Sequence, residues 1–335
     1  MGADGGSITI KSENLEILDG ASISSATIDS GKGGNIDVNA GRVVISGDNP
    51  HLDWPSLIRA SSEGTGTDSG NAGNIQINAD YLFVAKKGLI STETLSFGEG
   101  GEIGIKVNRL SLDSKGQISS STIGAGNGGK IRISATQFQQ KGDAEVSSMS
   151  TGAGNAGDIH ISSTDEFLLQ DSAISVEATQ SDGGNIKINN DHMVMLLNSE
   201  ISSSVNGGPD TVGGNISIDP EYVILQDSKI IANAFKGKGG SINIVTDVFL
   251  TDSNSKIDAS SDQGIDGTVD IRAAFSYLSE NPAPMAEDFR SAVELLREPC
   301  LARMQGGKYN SLVVSGREAF PVGPGGLMPS PAYAR

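Results

Sequence analysis

One phrase recurs ten times along the chain: two small residues, a polar residue, then an aliphatic–polar–aliphatic triplet. It reads Gly33-Gly34-Asn35-Ile36-Asp37-Val38 near the start and Gly183-Gly184-Asn185-Ile186-Lys187-Ile188 beyond the middle. Its first aliphatic falls at Ile8, Ile36, Ile75, Ile103, Ile131, Ile159, Ile186, Ile216, Ile242 and Val269. The spacings are 28, 39, 28, 28, 28, 27, 30, 26 and 27 residues. A near-constant period of this length points to a repeat architecture, in which each unit buries its apolar face only against its neighbours.

Within the phrase the alternation has period two, so Ile36 and Val38 share one face of a strand. Seven residues past the anchor a second aliphatic pair follows, as in Val43/Ile45, Leu110/Leu112 and Met193/Met195; Phe167/Leu169 and Val248/Leu250 are displaced by one. About fifteen residues past the anchor stands a third aliphatic, such as Ile23, Ile118 or Ile201, commonly followed by Ser or Thr. Three short half-buried strands per period, with Gly-rich turns between them, predict an all-β fold: a right-handed parallel β-helix of about ten coils over residues 1–273. A single coil offers roughly six inward aliphatics at ~1.5–3 kcal/mol each. Ordering its residues costs ~1–2 kcal/mol apiece in backbone entropy. Only a stacked array is therefore stable. A β-sandwich is the competing fold, and it predicts hairpin turns with no constant three-strand period.

The 24 Lys and Arg against 41 Asp and Glu give a net charge of −17, which argues against nucleic acid and against an anionic membrane surface as partners. No stretch of eighteen apolar residues is present, so no membrane insertion is expected. Cys300 is the single cysteine, so no internal disulfide forms. No cofactor or metal is expected either, because His51, His160 and His192 lack ligand spacing. The loop aspartates follow no calcium-loop pattern.

Two places stand out as candidate sites. The second period carries eleven extra residues around Gly47–Pro55, holding the single tryptophan. There Trp54 could stack on a sugar while Asp48, Asp53 and His51 hydrogen-bond it; the blander alternative has Trp54 covering the flank of the solenoid. Along the outward position after each anchor, Arg132, His160 and Lys187 fall on three consecutive coils, with Lys130 beside them. That row is either an anion or acidic-glycan contact or a solvated face relieved by Asp158. The Ser-rich third strands are expected to satisfy their hydroxyls between stacked neighbours. Gln140 takes an inward slot that Leu112 and Leu169 fill in the flanking coils. Strand-borne carboxylates lie whole coils apart, which does not favour polysaccharide cleavage.

After Ala273 the repeat is expected to stop, leaving 274–335 as a cap. Asn281-Pro282-Ala283-Pro284 reads as a linker and Met285–Glu298 as a helix with the stripe Phe289, Val293 and Leu296, laid over the last coil. The chain starts in mid-repeat at Gly5-Gly6-Ser7-Ile8, so it is expected to be the C-terminal piece of a longer protein.

The Gly-Gly-Asn-Ile-x-Ile phrase, the Ser22-Ile23-Ser24 step, and the tail with Cys300, Arg303 and Leu312-Val313-Val314-Ser315-Gly316-Arg317 resemble filamentous-haemagglutinin-type exoproteins of two-partner secretion. The resemblance implies a non-catalytic adhesive rod, secreted to the bacterial cell surface by an outer-membrane partner and serving adhesion or biofilm, with a glycan or protein receptor. The alternative is a carbohydrate-active β-helix enzyme or glycan-binding module centred on the Trp54 loop.

Overall fold

The computed structural model describes residues 2–279 apart from Thr65, Thr67, Asp68 and Ser96. The chain winds as a parallel β-solenoid of about ten turns, of right-handed type. Coils are numbered 1 to 10 here by the ten anchors. Each anchor pairs in register with the next: Ile8 with Ile36, Ile36 with Ile75, Ile75 with Ile103, and so on to Ile242 with Val269. Among the described residues every pairing between strands is parallel, which removes the sandwich with its antiparallel hairpins. The two long ladders contain 12 and 9 strands.

The coil differs from the expected three separate strands. In most coils the first two run on as one bent strand, such as Ile36–Ser46 or Ile131–Lys141, followed by a short one, such as Ser22–Thr27 or Glu145–Ser150. The bend falls where the pairing skips one residue, between Ser12↔Ala40 and Asn14↔Arg42. It resets the inward phase from Ile36/Val38 to Val43/Ile45, so one strand supplies two walls of the core. Only coils 7 and 8 break fully there, into Ile186–Asn190 and Met193–Leu197, then Asn215–Asp219 and Tyr222–Gln226. At the first break, the buried Asn190 accepts from the amides of His192 and Met193 and donates to Ser163 Oγ at 2.7 Å.

The extra residues of coil 2 leave the ladder untouched. Ser22–Thr27 pairs directly with Leu57–Ser62, and Ile58 continues the third inward column between Ile23 and Ile90. Seven of the eleven extra residues are extruded between Ser46 and Leu57, where ten residues stand against the three between Leu18 and Ser22 of coil 1. The other four do not lie around Gly47–Pro55 as expected but fall between Ser62 and Ile75, twelve residues against the eight between Thr27 and Ile36.

Two inward assignments are corrected. In coil 7 the inward pair is Val194/Leu196, while Met193/Met195 are half-buried and face outward. A bulge between Ser163 and Glu166 adds a residue to coil 6, and coil 7 stacks on the shifted register, Phe167 on Val194. In coil 9 Phe249 is inward and Val248/Leu250 are not, because Phe249 stacks on Val223. The expected end of the repeat at Ala273 is also corrected: the tenth coil's strand runs Thr268–Ser279 and pairs with coil 9 as far as Asp252↔Ser279. The helix over 285–298, Cys300 and the tail motif lie outside the described residues.

Why the phrase has its composition is visible in the stacking. From coil 2 on, a Cβ added at the second glycine of the phrase would strike the carbonyl oxygen of the equivalent glycine one coil earlier, as at Gly101 on Gly73, Gly129 on Gly101 and Gly157 on Gly129. The column admits only glycine. The asparagine that follows serves the next coil: Asn35 Oδ1 accepts from the Asn74 amide at 2.9 Å, and Asn74 Oδ1 from the Glu102 amide at 2.8 Å. Across the interior, the third strand's hydroxyls satisfy the glycine carbonyls. Ser120 Oγ donates to Gly101 O at 3.1 Å, Ser148 Oγ to Gly129 O at 3.0 Å and Ser203 Oγ to Gly184 O at 2.7 Å. A hydroxyl pair between neighbouring rungs occurs as well, Thr92 to Ser120 at 2.9 Å. These hydroxyls therefore lock a corner of the core, where an unpaired carbonyl would cost about 1–3 kcal/mol.

Candidate functional site

The Gly47–Pro55 insertion folds back on itself. Asp48 and Pro55 form an antiparallel bridge, and the Asn49 amide donates to Trp54 O at 2.7 Å. Asn49 Oδ1 accepts from the amides of His51 and Leu52, an Asx turn that shapes the tip. Asp53 takes a left-handed backbone, φ 55°. The base rests on coil 1: a side chain at Gly20, whose φ is +85°, would meet Asn49 and Trp54 O. Ser56 Oγ closes the base, accepting from the Gly20 amide and donating to Ser46 O.

Lys87, in the equivalent turn of coil 3, ties the loop to the other neighbour. Its ammonium reaches Asp48 Oδ2 at 2.8 Å and also Asp53 Oδ1. The hydrogen bond from Lys87 holds the Asp48 carboxyl below the ordinary carboxylate range, and the two aspartates push Lys87 up. Two of the four glycan candidates thus bind a lysine that the sequence reading missed. Its signal was the turn Lys86-Lys87-Gly88, one coil on from the insertion, where both lysines have positive φ. The remaining pair, His51 and Trp54, is exposed. Trp54 leaves 64% of its surface to solvent, so it does not act as a cover for the flank. A glycosidase general acid needs a raised pKa. Asp48 is tuned the opposite way.

The basic row is assembled as the spacing implied, Arg132 beside His160 and His160 beside Lys187 on adjacent rungs. Neighbouring carboxylates take up much of its charge. Arg132 pairs with Glu102 on coil 4, and Lys130 Nζ lies 3.6 Å from Asp158 Oδ2. Burial, and then repulsion from Lys187 and Arg132, lowers the His160 pKa, and its Nε2 lies 3.2 Å from Ser162 Oγ. The row thus holds a neutral imidazole between a paired arginine and an exposed Lys187. Trp54 and this row lie on different parts of the coil, one in the turn before the third strand and the other on the first strand, so the structure does not join the two candidate groups.

No protein-family model matches the chain, and neither a curated protein nor a solved structure matches it.

Proposed function

We propose that the chain is a structural and adhesive stretch of a surface exoprotein of the filamentous-haemagglutinin type, with no catalytic role. The observation that carries this reading is the in-register stack itself. Side chains on its outward faces engage partners one coil away, as Arg132 does with Glu102 and Asn198 with Asp171, so they brace a solenoid instead of converging on a reacting atom. Secretion to the cell surface through an outer-membrane partner follows from the resemblance in the repeat phrase and tail. The capping helix expected over 285–298 is part of the same proposal. Sedimentation of a chain lacking residues 282–335 tests it, with end-to-end association as the expected result. For the function, purified full-length chain on beads is expected to confer attachment to cells or polysaccharide without releasing product. Reducing ends or unsaturated sugars that appear with the chain and vanish with Asp53→Ala would overturn the non-catalytic reading.

A second reading, glycan binding at the extruded loop, is favoured by the exposure of Trp54 on a loop braced from both neighbouring coils. Trp54→Ala should then abolish retention on a polysaccharide column and leave the thermal melt unchanged.

A further inference from the structure

The outward side of the second wall changes character along the solenoid. In coils 4 and 5 it is polar: Arg109 and Ser111 stand beside Gln137 and Gln139. From coil 6 on, one outward column reads Leu168, Met195, Ile224, Leu250 and Tyr277, each in register with the next. The column beside it continues Met193, Tyr222, Val248 and Phe275. None of these faces the core, whose inward positions here belong to Phe167/Leu169, Val194/Leu196, Val223/Leu225 and Phe249. Tyr222, Phe275 and Tyr277 are 45%, 66% and 69% exposed. The others are half-buried. A solvated sheet face ordinarily alternates polar residues outward, and a contiguous apolar patch marks an interaction surface.

Carboxylates flank the patch on both sides. At the corner with the first wall runs a furrow of about 470 Å³ whose lining includes Asp191, Asp219, Glu221 and Asp247. On the opposite edge stand Asp171 and Asp227, in the turns before the third strands, and Asp252, at the end of the strand Ser241–Asp252. His192, at the rim, lies 3.6 Å from Glu221. A second copy laid on this face would bring like-charged rims together. Four rung steps by a few residues of strand give roughly 300 Å², short of the ~800 Å² per partner of a standard stable interface. A short segment with apolar side chains on one face and lysines or arginines along its edges satisfies both the area and the charge.

We propose that the outward face of coils 6–10 is a docking surface for a basic amphipathic peptide segment of a partner protein. Its apolar side chains lie across the Leu168-to-Tyr277 column, and its cations meet Glu221 and Asp247 on one rim and Asp227 on the other. This inference does not rest on the adhesive reading.

The test titrates a short labelled peptide of alternating Leu and Lys into the full chain, beside a Gln–Lys peptide of equal charge and a Leu–Glu peptide. The Leu–Lys peptide should bind, more weakly with added salt, and at least tenfold more tightly than either control. Ile224→Ser with Leu250→Ser should weaken it tenfold or more. Glu221→Gln with Asp247→Asn should weaken it and flatten the salt dependence, whereas the remote pair Asp37→Asn with Asp80→Asn should not. Thermal melts check that each variant is folded. Equal binding of the Gln–Lys peptide would mean general attraction to an acidic chain and would overturn the proposal, as would equal binding of the Leu–Glu peptide. Absence of binding, binding untouched by the serine variants, or a concentration-dependent dimer abolished by them would overturn it as well.

Discussion

At the scale of single residues, the interior is governed by which polar atoms find partners. Gln140 is fully buried between Leu112 and Leu169, as its spacing implied. Its Nε2 donates to Ala144 O and Ala173 O, both at 2.7 Å, while Oε1 has no partner among the described residues. Ala144 O also accepts from the Ala173 amide at 3.1 Å, so losing the glutamine does not strand it. Gln140→Leu should therefore raise the melting temperature, by about 1 kcal/mol in stability. A fall would mean that the two donated bonds outweigh the orphaned oxygen. Gln140→Glu should do the reverse and cost more than ~2 kcal/mol, since it aims carboxylate oxygens at two carbonyls. Burial raises the folded pKa of such a carboxyl, so the variant's deficit should grow as pH rises from acid to neutral. Gly129→Ala tests the glycine column. The added methyl would press on Gly101 O and on Ser120 Oγ within a ladder fixed on both sides, so a loss on the order of 3 kcal/mol is expected in denaturant melts. Unchanged stability would mean the coils can slide apart locally.

At the scale of elements, the periodic aliphatics were legible because a solenoid repeats one solution in every coil. The anchors, the extra length of coil 2 and the inward place of Gln140 could all be read from spacing. What misled was local: the bulge at Ser163–Glu166 shifts phase by one residue, and the same shift makes Met193/Met195 look inward. Spacing also hides partners one coil away, which is why Lys87 was invisible beside the Trp54 loop. That ion pair carries a prediction. Lys87→Ala should speed amide exchange in residues 48–54 while leaving that of Ile75–Ala85 unchanged, because the loop sits outside the ladder. The short last strands offer another. The hydrogen bond from Lys256, helped by Ser260 and Asn233 and opposed by burial, lowers the Asp258 pKa to about 2 from 3.8. A depressed carboxyl pKa contributes stability that is present above the unfolded value and lost as pH falls through the folded one. The gap between the native chain and Asp258→Asn should thus be constant at pH 5–7 and close by about pH 2. A gap that persists in acid would assign it to packing.

At the scale of the whole solenoid, one geometric rule holds: every coil advances the structure by one rung whatever its residue count. The outward positions after the anchors form a row on which this can be measured, because Asp37, Gln76 and Lys187 belong to coils 2, 3 and 7. Parallel neighbours lie ~4.8 Å apart, so spin labels at Gln76 and Lys187 should be separated by roughly 19 Å and labels at Asp37 and Lys187 by roughly 24 Å. Moving the first label to Thr9 on coil 1 should add the same increment again, to roughly 29 Å. The 39-residue coil between Ile36 and Ile75 should contribute no more than the 28-residue coil before it. Pulsed dipolar spectroscopy on these three pairs measures the rise per coil. Equal steps of one rung are the predicted result; a larger step across the long coil, or distances that do not increase from pair to pair, would contradict the in-register solenoid.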